Sequence, residues 1–120
     1  MLTLGPEARV FMASESVDMR SGHDGLFGII KGWGLDPFRG DLFAFVGKRH
    51  DRVKILFWHR GGFVLLYKRL EKGRFRIPKV SAGTRSAEID TTELMMLLDG
   101  IDVARVKRPT LWEPPRPKTG

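Results

Sequence analysis

The sequence predicts a single small α+β domain in which an antiparallel meander of three to four strands packs with two helices. Three observations support this fold class. Short apolar runs follow one another closely between residues 42 and 77, and an apolar pattern with helical spacing lies on each side of them. The chain has 120 residues, 42% of them hydrophobic. That length allows one packed core and is too short for two ordinary domains.

The first predicted elements are a strand and a helix. The apolar run at residues 9–13 lies between Gly5-Pro6 and a polar serine-rich segment, which is typical of a short strand. Residues 22–33 are predicted to form a helix, because Leu26, Ile30 and Trp33 recur at helical spacing. Pro37 then indicates a turn, since proline biases the residue before it away from helix.

Three strand-like runs follow at residues 42–46, 52–58 and 63–68. In the second run, apolar residues that can enter a core alternate with residues of the opposite face. That opposite face carries charge and an indole, and it consists of Arg52, Lys54, Leu56 and Trp58. Gly61-Gly62 indicates a hairpin, because glycine accepts the positive φ that tight turns require. Residues 74–77 could add a further strand, which Pro78 would stop.

The C-terminal third predicts a second helix and a tail. Residues 87–89 are interpreted as a strand or an extended lead into the helix, and Asp90 with Glu93 forms a capping-box pattern before a leucine-rich helix at residues 91–99. The domain is therefore expected to span residues 1–104. Residues 105–120 place four prolines among lysines and arginines, which favours a basic, flexible tail.

The formal charge of +7 is unevenly distributed. Residues 48–79 contain 11 lysines and arginines against two acids, and residues 105–120 contain five against one. The rest of the chain is acidic. This segregation favours an anionic partner over a surface of mixed charges that serves only solubility. With no cysteine, disulfides, thiolate zinc sites and a cysteine nucleophile are excluded.

Two further expectations concern location and catalysis. The N-terminus lacks a signal-peptide pattern and no apolar run approaches the ~20 residues that span a bilayer, so a cytoplasmic protein without membrane contact is expected. A phosphate-binding glycine loop and a nucleophile elbow are both missing from the sequence. Adjacent pairs such as His50-Asp51 point to opposite sides of an extended chain and make a poor metal site. We therefore expect no enzyme activity, no metal and no cofactor.

Several motifs resemble one known family. They are Val17-Asp18-Met19-Arg20 with Gly25-Leu26, Leu35-Asp36-Pro37-Phe38, Leu42-Phe43-Ala44-Phe45, Asp51-Arg52-Val53-Lys54-Ile55-Leu56-Phe57-Trp58, Gly62-Phe63, Tyr67-Lys68-Arg69-Leu70-Glu71-Lys72-Gly73-Arg74-Phe75 and Leu98-Asp99-Gly100-Ile101-Asp102. In this order they resemble the TnpB (second open reading frame) proteins of the insertion-sequence-66 family. The resemblance implies an accessory protein encoded beside a separate transposase. Its implied partners are the transposase and other element-encoded proteins.

The basic segment is the candidate site for nucleic acid, with DNA favoured over RNA. The candidate residues combine cations for phosphate contacts with an indole for stacking: Arg52, Lys54, Trp58, Lys68, Arg69, Lys72, Arg74 and Arg76. Tyr67 and Phe75 are expected to pin the ends of the basic loop between them. Two alternatives remain at this point. In the first, the cations form a solvated strand face. In the second, the chain is an interaction module that docks the transposase or another accessory subunit without touching DNA.

Overall fold

The computed structural model describes residues 7–77 and 83–100, together with Pro115. Five strands and two helices occur in this part of the chain. In order they are β1 (Val10–Ala13), α1 (His23–Gly32), β2 (Leu42–Val46), β3 (Arg52–His59), β4 (Gly62–Arg69), β5 (Ser86–Ile89) and α2 (Thr91–Leu98). The α+β class, both predicted helices and the three strands of the meander are thereby confirmed.

The strands form one mixed sheet in the order β4-β3-β2-β1-β5. β2, β3 and β4 are the predicted antiparallel meander. β1 is parallel to β2, and β5 joins the far side of β1 in antiparallel orientation. The expectation of a wholly antiparallel sheet of three to four strands was therefore wrong. Because parallel neighbours need a crossover connection, α1 carries the chain from the end of β1 back to the start of β2.

The sequence signals near α2 are confirmed in detail. The Asp90 carboxylate accepts from the backbone N–H of Glu93 at 2.7 Å, and the Glu93 carboxylate accepts from the Asp90 N–H at 3.2 Å. Residues 86–89 form a strand, which is one of the two interpretations given for residues 87–89. By contrast, residues 74–77 are not a strand. The proposed tail at 105–120 lies outside the described residues, apart from Pro115.

Both faces of the sheet are covered. α1 packs on one face, where the buried side chains are Phe11, Ala13, Leu26, Ile30, Phe43, Phe45 and Leu56. α2 and the segment after β4 pack on the other, where the buried side chains are Val10, Met12, Leu42, Ala44, Val46, Val53, Ile55, Phe57, Phe75, Ile89, Leu94 and Leu97. The central strand β2 is buried along its whole length, which explains its continuous apolar run.

The two ends of the sheet differ in character. β1, β2 and β4 terminate, and β3 begins, at the same end, because β3 runs antiparallel to both of its neighbours. The connections that follow β2 and β4 at this end carry five cations: Lys48, Arg49, Lys72, Arg74 and Arg76. The opposite end carries the β3–β4 hairpin and the loop after α1, and aromatic rings meet there. Functional surfaces are therefore expected at the ends of the sheet, since its faces are occupied except along the second half of β4.

Candidate nucleic-acid interface

Two connections lie against each other at the cationic end of the sheet. One is the turn between β2 and β3, at residues 47–51, and the other is the segment after β4, at residues 70–77. The Leu70 N–H donates to the carbonyl of Asp51 at 2.7 Å, and the Phe75 N–H donates to the carbonyl of His50 at 2.5 Å. These backbone hydrogen bonds hold the two connections together as one surface.

Buried side chains anchor the segment after β4. Phe75 is fully buried and Leu70 packs against the same core cluster on the α2 side of the sheet. Phe75 is thus the anchor that was predicted. Tyr67 is not, because 52% of it is exposed and its ring lies near the Lys54 ammonium on the other face. Leu70, three residues later, is the second anchor.

The anchored connections present a group of cations that we call the basic end. It consists of Lys48, Arg49, Arg52, Arg69, Lys72, Arg74 and Arg76. All except Arg52 are exposed. Asp51 and Glu71 are the acids within the same connections, and the Arg69–Glu71 ion pair, at 3.3 Å, is solvent-exposed and therefore weak. The basic end consequently keeps a strong net positive charge.

Arg52 and Arg69 face each other directly across β3 and β4. Like charges in this position destabilise a strand pair. The Nε of Arg52 and one carboxylate oxygen of Asp51 are also buried, and neither has a hydrogen-bond partner among the described residues. A buried polar atom without a partner is costly. An anion between Arg52 and Arg69 would relieve the repulsion of this like-charge pair.

Three of the predicted site residues lie elsewhere. The Lys54 ammonium is half-buried and donates to the carbonyls of Met19 at 2.7 Å and Ser21 at 2.9 Å. Trp58 shares the face of Arg52 as expected, but it lies at the opposite end of β3. Lys68 projects from the other face of the sheet and donates to the carbonyl of Leu98 at 2.6 Å. The remaining five predicted residues, Arg52, Arg69, Lys72, Arg74 and Arg76, are brought together.

Sequence reasoning missed Lys48 and Arg49. Both lie in the cation-rich part of the sequence at residues 48–79, but the predicted site residues do not include them. Their position between two predicted strands could have indicated their role. A short turn between β2 and β3 places its side chains beside the start of β3 and therefore beside the end of β4. His50 in this turn has a positive φ of 62° and its Nδ1 lies 3.3 Å from the Phe75 carbonyl.

A cleft of about 400 Å³ adjoins the basic end. It lies between the loop after β1 and the turn after β2, and it is lined by Val17, Asp18, Met19, Arg20, Gly47, Lys48, Arg49, Asp51 and Arg52. The loop is fixed to the turn by the Val17 N–H, which donates to the carbonyl of Val46 at 2.9 Å. Apolar and cationic groups therefore share one concave surface.

Asp18 and Arg20 form an ion pair at the edge of this cleft, with 2.7 Å between the guanidinium and the carboxylate. The Arg20 side chain and its backbone N–H both donate to Asp18, and these hydrogen bonds hold the pKa of Asp18 well below its usual range. Within residues 7–77 and 83–100, no three histidine or acidic side chains form a metal-binding group. No helix in these ranges is long and apolar enough to cross a bilayer.

Comparison with known proteins decides the family. The family model described as "IS66 Orf2 like protein" matches residues 8–108. The chain belongs to this family. It is also similar to two proteins of Sinorhizobium fredii (strain NBRC 101917 / NGR234). It is 36% identical to "Uncharacterized protein y4jC", covering 92% of this chain and 96% of that protein, and 35% identical to "Uncharacterized protein y4hO", covering 85% and 88%. No solved structure matches.

Membership of the IS66 Orf2-like family associates the chain with transposition as an accessory protein. The residues that carried the resemblance can now be placed. Asp18 and Arg20 pair with each other beside the cleft. Asp24 lies in the first turn of α1, where a negative charge interacts favourably with the helix dipole. The segment from Tyr67 to Phe75 supplies three of the seven cations of the basic end.

Proposed function

We propose that this IS66 Orf2-like protein assists transposition by contacting DNA through its basic end, without catalysis of its own. The observation that carries the proposal is the convergence of seven cations from two connections and two strand ends. Phosphate groups supply the negative charge that such a surface lacks. Because the DNA concerned is that of the element, the proposed place of action is the cytoplasm.

The state of these cations supports phosphate contact over simple solvation. Lys48, Arg49, Lys72, Arg74 and Arg76 make no ion pair or side-chain hydrogen bond with any described residue. The buried anchor Phe75 limits the motion of the segment that carries Lys72, Arg74 and Arg76, so less conformational entropy is lost on binding. With about six phosphates neutralised, affinity for duplex DNA would fall by ~10³ between 50 and 200 mM salt.

Removal of two positive charges from the basic end, compared with removal of two elsewhere, tests this proposal. Fluorescence anisotropy with a labelled duplex would compare Arg69→Gln/Lys72→Gln with the control Lys31→Gln/Arg60→Gln. Both double variants lose two exposed positive charges. Lys31 lies in the last turn of α1, where the Gly32 carbonyl accepts from Arg85 beside the edge strand β5, and Arg60 lies in the β3–β4 turn, so neither belongs to the basic end. We expect the first pair to reduce the salt slope by about 2, because each lost phosphate contact removes roughly one unit. The control should keep nearly the wild-type slope. Equal effects of the two pairs would contradict a localised interface.

A second candidate function is docking of the transposase or another accessory subunit. The observation that favours it is an aromatic cluster at the opposite end, formed by Phe27, Phe38, Trp58 and Phe63, with ring centroids 5.1–5.8 Å apart. Half of Phe38 is exposed, and exposed aromatic groups are enriched at protein interfaces. Phe38→Ser should then weaken co-purification with the transposase, whereas Met95→Ser, at a similarly exposed position on α2, should not.

A further inference from the structure

The cleft beside the basic end lies beyond the carboxyl ends of two neighbouring parallel strands. From β1 the chain departs toward α1, whereas from β2 it turns back directly into β3. The Val17 N–H holds the first connection to the carbonyl of Val46, and the two connections enclose the cleft beyond this hydrogen bond. Small ligands bind preferentially in concave sites of this kind.

One wall of the cleft is apolar. It is formed by Val17, Met19 and Gly47. A Cβ on Gly47 would lie 2.5 Å from the Cγ of Met19, so the methionine side chain packs directly on the glycine backbone. Glycine at this position thus allows Met19 to form the wall. A flat, polarisable thioether surface of this kind suits contact with an aromatic ring.

The facing wall is polar and mainly cationic. Lys48 and Arg49 are exposed there, and Arg52 contributes the buried Nε that has no partner among the described residues. The unpartnered carboxylate oxygen of Asp51 adds one buried acceptor. Arg20 neutralises Asp18 at the edge. Guanidinium and ammonium donors suit a phosphate, and an acceptor beside them suits an amino group.

We propose that this cleft binds a single unpaired nucleotide of a DNA strand, with its phosphate on Lys48, Arg49 and Arg52 and its base on Val17 and Met19. The proposal rests on the proposed function and names the unit that the site accepts. The volume of about 400 Å³ lies within the range of about 300–1,000 Å³ found for small-molecule pockets. A nucleotide paired in a duplex cannot enter, because its base is stacked inside the helix, whereas an unpaired base can leave the stack and lie on a side chain.

Calorimetric titration of the full chain with deoxyadenosine monophosphate, deoxyadenosine and inorganic phosphate tests this inference. The monophosphate should bind most tightly, because it alone reaches both walls. Lys48→Gln/Arg49→Gln should weaken its binding about 10-fold or more, since charge-assisted hydrogen bonds are the strong ones. Lys31→Gln/Arg60→Gln has the same total charge, alters residues that do not line the cleft, and should change this binding less than about 2-fold. Both positions altered in the first variant are exposed, so folding should be preserved.

The outcomes separate this inference from the proposed function. Equal binding of the monophosphate and inorganic phosphate would overturn the role of the apolar wall. No monophosphate binding, or binding that survives Lys48→Gln/Arg49→Gln, would overturn the subsite even if the protein bound duplex DNA with the expected salt slope. Conversely, absence of duplex binding would refute the proposed function directly. A duplex with an unpaired tail should bind more tightly than the blunt duplex, and this preference should disappear in Lys48→Gln/Arg49→Gln.

Discussion

Replacement of Phe75 by alanine tests whether the core holds the segment after β4, at residues 70–77. Phe75 is fully buried on the α2 side of the sheet, and its N–H donates to the carbonyl of His50. The substitution would remove most of a ring from this cluster and leave a cavity where the segment after β4 meets the β2–β3 turn. Both the stability of the fold and the position of the basic end should respond.

The magnitude follows from the burial of the ring. Phenylalanine-to-alanine changes in a core cost about 3–5 kcal/mol, from lost transfer free energy and the residual cavity. For a chain of 120 residues, an unfolding entropy of about 2.1 cal/mol/K per residue converts 1 kcal/mol into about 4 °C of Tm. We therefore expect Phe75→Ala to lower Tm by about 12–20 °C.

Calorimetric unfolding of Phe75→Ala beside Tyr67→Ala measures this effect. Tyr67, at the start of the cationic run that ends at Phe75, is 52% exposed, and its replacement should cost no more than about 1 kcal/mol. A denaturant titration would supply the free energy of unfolding where the thermal transition is incomplete. Equal and small losses in the two variants would refute the inference that Phe75 anchors the segment.

Three further changes have definite expected results. Lys54→Met removes both hydrogen bonds to backbone carbonyls after β1 and should lower the free energy of unfolding in urea by about 1.5–3 kcal/mol; a normal stability with a reduced DNA salt slope would instead make Lys54 a phosphate ligand. Gly47→Ala should displace Met19 and weaken monophosphate binding in calorimetry, and unchanged affinity would argue against the apolar wall. Because Arg20 lowers the pKa of Asp18, the stability from this pair is present above the unfolded pKa of about 3.9 and is lost as pH falls through the folded value. The Tm difference between wild type and Asp18→Asn should thus stay constant from about pH 8 to 5 and shrink in stronger acid, and a change near neutral pH would contradict the assignment.

Local patterns predicted the elements well, but they did not predict all of the strand partners. The β3–β4 hairpin follows from Gly61, whose φ is 87°, and the α2 start follows from Asp90 and Glu93. The parallel pairing of β1 with β2 was missed. An apolar run identifies a strand but carries no information about the direction of a neighbour distant in sequence. The placement of β5 beside β1 is a long-range pairing of the same kind.

The candidate site was predicted in part for a related reason. The parity of Arg52, Lys54 and Trp58 was correct, but parity does not reveal that α1 and the loop before it cover much of that face. Neighbouring residues in a strand point to opposite faces. Lys68 and Arg69 are adjacent in sequence and therefore could not belong to one surface. A run of cations predicted the charge of the region, whereas the strand ends determine which cations meet.

Amide chemical-shift mapping of the ¹⁵N-labelled protein, titrated with a short duplex, tests the central claim most directly. DNA contact at the basic end predicts the largest shifts at residues 47–52 and 69–76, with loss of the shifts as salt is raised. The amides around Phe38, Trp58 and Phe63 should change little. Shifts confined to that aromatic end, or no shifts in low salt, would contradict the assignment of the basic end to DNA.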